Sequence, residues 1–311
     1  MSMIEQDQDT RTTTAQKQAA WRDRMAGIGR DHGFFTRIGD DHLTLFVQEG
    51  DTLLVSFDRA ARICHDEADG LPLGFEAVQR KEWSLLSIMS LGDRWYRSAD
   101  LVAFFDGLAQ AGFFDSFAQV IFLGFGPAAG HAACAYSAAA PGALVLASAP
   151  AATLTPERAG FDRRFLAERK RDFSRYGDAP QLIATARDVV IAYDPTDAIS
   201  TAHAAQFRGP QVALAPLRFT GTAPDRLIRE GGLLMQFLRA LSHQRLTSAR
   251  VAALIRPVRR ADAGYLWDLH QRAQRQGQFN RAWRIADYAA DVTGEARFAA
   301  QAAGLAPDNG S

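Results

Sequence analysis

Apolar residues form short continuous runs through most of the chain and helical spacings towards its end. Runs of strand length that are apolar throughout, bounded by Gly, Pro or Asp, predict buried strands. Spacings of three and four residues between apolar positions predict helices. The predicted strands are 43–48, 52–58, 82–90, 118–126, 142–150, 188–195 and 211–219. The helices predicted before residue 225 are one that starts near Ala15, then 98–112, 127–140, 160–174 and 198–207.

This order of elements predicts the fold class. Strands that are apolar on both faces and alternate with helices are typical of an α/β protein with a mostly parallel, doubly wound sheet. The tight turn between the first two runs predicts an antiparallel start to that sheet. From residue 225 onward only helical spacing remains, which predicts a C-terminal α-helical extension. Its predicted helices are 225–242, 246–256, 263–276, 279–293 and 295–303.

The predicted domains follow from these elements. Residues 1–33 are expected to hold a polar, disordered beginning and the first helix, 34–245 the sheet domain, and 246–311 a helical tail. Two tail helices, 263–276 and 279–293, carry alanine at the positions where helices cross and resemble one unit of a tetratricopeptide array. A tail of this kind is a candidate surface for a protein partner.

Composition narrows the function classes. The 311 residues carry 35 basic and 35 acidic side chains, which argues against a protein held to nucleic acid by bulk charge. The two cysteines, Cys64 and Cys134, cannot form a disulfide framework or a cysteine-based metal site, and we predict neither a metal nor a cofactor. The N-terminus lacks the apolar core of a signal peptide, and no apolar run is long enough to cross a membrane. We therefore expect a cytoplasmic protein.

A glycine-rich turn, residues 124–130, separates a predicted strand from a predicted helix. Gly124, Gly126 and Ala129 fit G-x-G-x-x-A, the turn that cradles phosphates in dinucleotide folds. That motif needs an acidic residue about 20 positions further on, but the first acid after the next strand is Glu157. A nucleotide-binding protein is therefore only a minor hypothesis.

The same turn stands where an α/β-hydrolase has its nucleophile elbow, G-x-S-x-G. The segments TLLVSFD, VIFLGFGPAAGHAA and VVIAYDPTDAIS resemble that fold's early strand, elbow and acid-bearing loop, and the resemblance covers about residues 43–242. More narrowly, the chain resembles an alphaproteobacterial group of α/β-hydrolase-like proteins with a helical tail, often labelled phosphoadenosine phosphosulfate reductases. Such a reductase uses a cysteine in its C-terminal segment, whereas the last cysteine here is Cys134.

The positions that match the catalytic triad depart from the family pattern. Gly126 stands in place of the nucleophile and Thr222 in place of the histidine, so that only an acid remains, as Asp197 or Asp194. An acid without a base or a nucleophile cannot carry out acyl transfer. The sequence therefore favours a bacterial pseudoenzyme that binds a partner or a small ligand at the former active-site edge.

An active hydrolase or acyltransferase with a relocated nucleophile is the main alternative. Ser56, Ser148 or Ser200 would then attack the substrate, with His131 or His203 as the base. This hypothesis requires one of these hydroxyl groups to lie within hydrogen-bond reach of a histidine that also contacts an acid.

The candidate ligand residues lie at the ends of predicted strands and in the arginine-rich segment 158–175. That segment falls where α/β-hydrolases insert a lid, so it is also a candidate site for a small anion. The ligand-site candidates are Ser56, Phe125, Gly126, Pro127, His131, Ser148 and Asp194, and the anion-site candidates are Arg163, Arg164 and Arg169.

Two more polar clusters stand out in the sequence. His65, Asp66, Glu67 and Asp69 share one loop, which makes them a minor candidate for a metal site. Three arginines near a proline are interpreted as charges at the joint between the sheet domain and the tail; they are Arg256, Arg259 and Arg260.

Overall fold

A computed structural model describes residues 3–65, 69–92, 95–221 and 223–306, with side chains from residue 16 onward. Eight strands form one sheet in the order β1-β2-β4-β3-β5-β6-β7-β8. The first three strands in this order pair antiparallel, and all later pairs are parallel. The strands are β1 (Gly33–Ile38), β2 (His42–Val47), β3 (Thr52–Arg59), β4 (Ser84–Ser90), β5 (Gln119–Phe125), β6 (Leu144–Ser148), β7 (Asp188–Tyr193) and β8 (Val212–Pro216).

Helices cover both faces of the sheet. Consecutive strand residues point to opposite faces, so Leu54 of β3 lies in one apolar cluster and Val55 in the other. The first cluster also holds side chains of the helices Met3–His32, Phe75–Lys81, Leu234–His243 and Ser248–Ala261. The second holds side chains of the helices Ala99–Gln110, Pro127–Tyr136 and Ala198–Ala204. The predicted fold class, a mostly parallel doubly wound sheet with C-terminal helices, is confirmed.

The helices before β7 are α1 (Met3–His32), α2 (Ala60–His65), α3 (Phe75–Lys81), α4 (Ala99–Gln110), α5 (Pro127–Tyr136), α6 (Pro156–Ala159) and α7 (Ala179–Leu182). Those after β7 are α8 (Ala198–Ala204), α9 (Arg226–Arg229), α10 (Leu234–His243), α11 (Ser248–Ala261), α12 (Ala263–Arg275), α13 (Phe279–Thr293) and α14 (Ala296–Leu305).

Several elements differ from the sequence prediction. The helix predicted at 225–242 forms two helices, α9 and α10. The antiparallel start of the sheet is formed by β1, β2 and β4, because β4 lies between the first two predicted strands, β2 and β3. Helix α1 begins at Met3 instead of near Ala15, because no Gly or Pro precedes Gly27 to interrupt it. Strand β1 was missed, since it is a half-exposed edge strand whose pattern lacks a continuous apolar run. The segment 160–174 forms turns and one short 3-10 turn instead of a helix, because its polar side chains bond to nearby acids and carbonyl groups.

The helices of the C-terminal extension pack in two places: one lies on the sheet, and the last three pack on each other. Helix α11 packs on the sheet, where Val251 and Ile255 join the apolar cluster of the strands. Helices α12, α13 and α14 meet around a smaller cluster of Leu266, Ala289 and Phe298. The domain boundary at residues 245 and 246 stays a prediction. Among the described helices, none is both long and apolar enough to span a membrane.

Candidate functional site

Two glycines shape the turn between β5 and α5. A Cβ atom on Gly124 would lie 2.0 Å from the Ala129 carbonyl oxygen, so only glycine lets the helix approach the strand this closely. Gly126 has φ 86° and ψ 176°, a backbone region that is essentially restricted to glycine. A Cβ atom there would meet nothing within 4 Å. The turn therefore presents its second glycine to open space.

Pro127 leaves the turn without a backbone N–H group directly after Gly126. In an elbow of this geometry, the residue after the nucleophile supplies a backbone N–H to the oxyanion hole. Pro127 is the residue after Gly126, at the first turn of α5, and has no N–H to donate. The turn thus lacks both a nucleophilic side chain at Gly126 and the adjacent oxyanion donor.

A cavity of about 570 Å³ lies in front of Gly126, at the carboxyl ends of the parallel strands. We call it the elbow cavity. Its described walls come from β3 and β4, the elbow, the segment 155–178 (the lid) and the start of α9. The described lining residues are Phe57, Asp58, Arg59, Arg62, Leu73, Ser90, Gly92, Trp95, Tyr96, Phe125, Gly126, Pro127, Ala128, Ala129, Arg164, Phe165, Ala167, Glu168, Ala223, Asp225 and Arg229.

Two aspartate–arginine pairs line the elbow cavity, one at the end of β3 and one at α9. Arg62 Nε donates to Asp58 Oδ1 at 2.6 Å in the first pair. In the second, Arg229 Nη1 lies 4.0 Å from Asp225 Oδ2. Burial raises the pKa of Asp225 and lowers the pKa of Arg229. Both arginines follow their acids by four residues; Asp58 lies near the end of β3 and Arg62 in α2, whereas Asp225 directly precedes α9.

Aromatic side chains form the apolar part of the cavity wall. Trp95 and Phe165 meet edge to face with ring centroids 4.7 Å apart. Trp95 and Tyr96 have φ values of 55° and 52°, in the left-handed region that bulky residues avoid. This conformation is held in place because the Tyr96 hydroxyl donates to the Asp58 carbonyl oxygen at 2.6 Å and the Tyr96 carbonyl accepts from Tyr136.

The loops after β7 and β8 meet at Asp194 and Gly221. Asp194 Oδ2 accepts a hydrogen bond of 2.7 Å from the Gly221 backbone N–H. Thr222, the predicted histidine position, lies outside the described residues. Asp197 accepts from the Ser200 N–H at 2.8 Å and caps the N-terminus of α8. Neither acid lines the elbow cavity, so both have structural contacts instead.

The three candidate nucleophiles have no contact with a histidine. Ser56 lies in the middle of β3 instead of at its end, and its Oγ is buried without a hydrogen-bond partner. Ser148 ends β6, and its Oγ is 3.4 Å from Asp225 Oδ1. The Ser200 Oγ is buried and unpartnered. The geometry required for a relocated nucleophile is therefore absent at these positions.

The two candidate bases are buried in structural contacts. His131 Nδ1 lies 3.1 Å from the Ala151 carbonyl oxygen, and the side chain does not line the elbow cavity. His203 Nδ1 accepts from the Ala152 N–H at 3.1 Å, which places the ring proton on Nε2. That Nε2–H donates to Asp162 Oδ2 at 3.0 Å. Both His203 nitrogens are thus occupied by protein groups.

Comparison with known proteins concerns the fold alone. No family model and no curated protein sequence matches the chain. The capsule O-acetyltransferase of Neisseria meningitidis serogroup A is similar over 63% of this chain and 92% of its own, at 11% identity and a TM-score of 0.40. The Pyrobaculum calidifontis esterase is similar over 79% of this chain and 92% of its own, at 14% identity and a TM-score of 0.37. MGS-MChE2, an α/β-hydrolase enzyme from a lagoon-sediment metagenome, is similar over 66% of this chain and 97% of its own, at 15% identity and a TM-score of 0.36.

The fold assignment rests on the strand order and on the strand–turn–helix unit at Gly126. The fold is α/β-hydrolase-like. Within this fold, Gly126 lies in the turn between β5 and α5, and the lid lies between β6 and β7.

The lid of this α/β-hydrolase-like protein is pinned at Asp162. The Asp162 carboxylate accepts from Arg164 Nε at 2.9 Å and Nη2 at 2.8 Å, besides the bond from His203. Burial acts to raise the Asp162 pKa, but the hydrogen bonds from Arg164 and His203 lower it to about 2. The same pair holds the Arg164 guanidinium at the cavity wall.

Only one of the three predicted anion-site arginines reaches the elbow cavity. Arg164 lines it, whereas Arg163 is exposed away from it. Arg169 Nη2 donates to the carbonyl oxygens of Ala159 and Asp162 at 2.6 and 2.7 Å. Turns in place of the predicted helix direct Arg169 inward to the backbone, where it supports the lid.

A second anchor, Arg97, holds the C-terminal part of the lid. Arg97 is 6% exposed and donates to the carbonyl oxygens of Asp172 and Tyr176 at 2.9 and 2.6 Å. Its guanidinium also lies 5.0 Å from the centre of the Phe173 ring. Hydrogen bonds of His203 and Arg97 therefore tie the lid to the sheet domain at two points.

No metal site is formed by the described residues, since none of their His, Cys, Asp and Glu side chains gather in groups of three or more. In the loop that was a minor candidate for a metal site, Asp66 and Glu67 lie outside the described residues. His65 Nε2 is 3.4 Å from Gln18 Nε2. Cys134 is fully buried in α5, and burial raises the pKa of its thiol, as expected for a structural cysteine.

Several cavity residues were missed at the sequence level. Arg62 and Arg229 each follow an aspartate by four residues. This spacing can be seen in the sequence, but it does not indicate that either arginine lines the elbow cavity. The left-handed φ at Trp95 and Tyr96 has no sequence signal at all. Asp225 carries a weak signal, because it precedes a short helix in the loop after the last strand.

Two buried histidines predict how stability depends on pH. Burial lowers the pKa of His42 and of His131 to about 4, from the ordinary 6.5. Between these values the unfolded chain binds more protons than the folded one, so the free energy of unfolding falls as the pH is lowered. The loss is up to about 1.4 kcal/mol per pH unit for each histidine. Urea unfolding across this range measures it.

The His131→Gln variant should have a shallower slope of unfolding free energy against pH than the wild-type chain. The exposed His243 provides the matched control, and His243→Gln should leave the slope unchanged. An unfolding free energy that stays constant from pH 6.5 to about 4 would contradict buried, neutral imidazoles.

Proposed function

We propose that this protein is a non-catalytic α/β-hydrolase-like protein that binds a small organic anion in the elbow cavity. The observation that carries the proposal is the pair Gly126–Pro127. The cavity stays open in front of Gly126, although neither a nucleophilic side chain nor the neighbouring oxyanion N–H is available there. A volume of about 570 Å³ falls within the range of small-molecule sites.

The chemistry of the wall supports an anion with an apolar body. Trp95, Phe125 and Phe165 offer aromatic surface on one side. Arginines of the wall are held in place by aspartates, as Arg164 is by Asp162. A guanidinium fixed in this way loses little conformational entropy when it binds a carboxylate or a phosphate. Of the described charged lining residues, four are arginine and three are acidic.

Filling the cavity should abolish ligand binding. We expect small aromatic carboxylates, aliphatic carboxylates or phosphate monoesters, tested as three separate sets, to raise the melting temperature of the wild-type protein. Gly126→Leu places a side chain in the empty space and should remove that shift. Calorimetric titration with each compound that raises the melting temperature gives the affinity.

Gly142→Leu is the matched control for backbone strain. Gly142 has φ 85°, and a Cβ atom there also meets nothing within 4 Å, but it lies in the exposed turn before β6. This variant should keep the ligand-induced shift. A shift that persists in Gly126→Leu, or no shift with any of the three sets, would contradict the proposal.

A further inference from the structure

The last two turns of α11 carry three arginines that face a groove in the helical extension. Arg256, Arg259 and Arg260 were interpreted as charges of a linker, but Pro257 lies inside α11 and all three are helical. A groove of about 380 Å³ separates this end of α11 from α12 and α13. We call it the tail groove. It is separate from the elbow cavity, with no lining residue in common.

The tail groove combines positive charge with apolar surface. Leu266 and Leu269 of α12 form its floor, and Tyr288 of α13 stands at its side. The Tyr288 side chain is 42% exposed, and Val292, one helical turn further along α13, is 44% exposed. Contiguous exposed apolar surface rimmed by polar residues is typical of interaction surfaces.

The charges of the groove are unbalanced among the described residues. No described carboxylate forms an ion pair with Arg256 or Arg260, and no acidic residue is among the described lining of the groove. Arg259 bonds to the Tyr265 hydroxyl and stacks on its ring at 4.9 Å. Its Nε is buried without a hydrogen-bond partner.

We propose that the tail groove binds an acidic, amphipathic peptide segment of a partner protein. An apolar side chain of that segment would lie on Leu266 and Leu269 beside Tyr288, and its carboxylates would pair with Arg256 and Arg260. Peptide helices commonly bind through apolar anchors in a groove between helices, with charges at the rim. The proposal is independent of the ligand proposed for the elbow cavity.

A peptide fits this surface better than a lipid or nucleic-acid phosphate. Phosphates would pair with the arginines but leave the apolar floor uncovered. The whole chain has no net charge, with 35 basic and 35 acidic side chains, whereas binding to anionic membranes or nucleic acid draws on a broad basic surface.

A displayed library of random peptides, selected on the full-length protein, tests the proposal. We expect enriched sequences that combine Asp or Glu with Leu, Phe or Trp. Fluorescence anisotropy of one enriched peptide should show affinity about tenfold weaker for the double variant Arg256→Gln and Arg260→Gln. Tyr288→Ala should weaken binding by a similar factor through lost apolar contact. Added salt should weaken binding to the wild type more than to the double variant.

Arg250→Gln with Arg284→Gln is the matched control. These arginines are exposed on α11 and α13 outside the groove, so the control protein should bind the peptide as the wild type does. Failure to enrich acidic peptides, or equal affinity of the wild type and the groove variant, would overturn the proposal. Binding to vesicles of anionic lipid that is lost in the groove variant would also overturn it, in favour of a membrane surface.

Discussion

Replacing Asp162 by asparagine should lower the free energy of unfolding by about 3–5 kcal/mol, the usual cost of removing one partner of a buried ion pair. Asp162 is fully buried. Its carboxylate accepts from the backbone N–H, Nε and Nη2 of Arg164 and from Nε2 of His203. An asparagine amide would place its own N–H group against one of these donors, which leaves both unpaired. Urea unfolding followed by tryptophan fluorescence measures the loss.

Asp172→Asn is the matched control for Asp162→Asn. Asp172 also accepts a hydrogen bond from a backbone N–H two residues later, that of Ser174 at 2.7 Å, but it is exposed on the lid. An asparagine can make the same local bond, so the stability should hardly change. Equal stability of Asp162→Asn and the wild type would show that the lid is not anchored through this carboxylate.

The second large effect is expected at Gly124. Gly124→Ala should lower the free energy of unfolding by about 3 kcal/mol or more, at or above the upper end of ordinary overpacking. The new Cβ would lie 2.0 Å from the Ala129 carbonyl oxygen and 2.9 Å from the Ala133 Cβ. Relief of this clash requires α5 to move away from β5. Thermal and urea unfolding of the variant measure the effect.

Gly107→Ala tests whether the loss at Gly124 comes from the close approach. Gly107 lies at an exposed position inside α4, and a Cβ there meets nothing within 4 Å. Because alanine favours the helix, this variant should be more stable than the wild type by about 1 kcal/mol. A Gly124→Ala variant as stable as the wild type would contradict the close packing of α5 on β5.

Much of the fold could be predicted because local patterns determine it. The strand predicted at 118–126 is found at Gln119–Phe125, and the helix predicted from Pro127 begins there. Both follow from an apolar run, two glycines and a proline within one short stretch. The positions of Gly126 and Pro127 at the cavity could be predicted for the same reason, since they occupy the end of a central parallel strand.

The rest of the site depends on contacts between distant parts of the chain. The apolar spacing of the lid segment predicts a helix. Instead, Arg97 donates to the backbone carbonyls of Asp172 and Tyr176, which are more than seventy residues away in the sequence. Likewise, His203 is a reasonable candidate base in the sequence, and only the fold brings it to Asp162. Local propensity carries no information about such long-range hydrogen bonds.

Whether the elbow carries out acyl transfer is tested most directly by measuring the hydrolysis of short-chain p-nitrophenyl esters. The wild-type protein, Gly126→Leu and Gly126→Ser should all hydrolyse these esters no faster than buffer alone. Serine at this position restores a hydroxyl group, but Pro127 still offers no oxyanion N–H, and neither candidate base, His131 nor His203, contacts the elbow cavity. Turnover by the wild-type protein that Gly126→Leu abolishes would contradict a non-catalytic elbow.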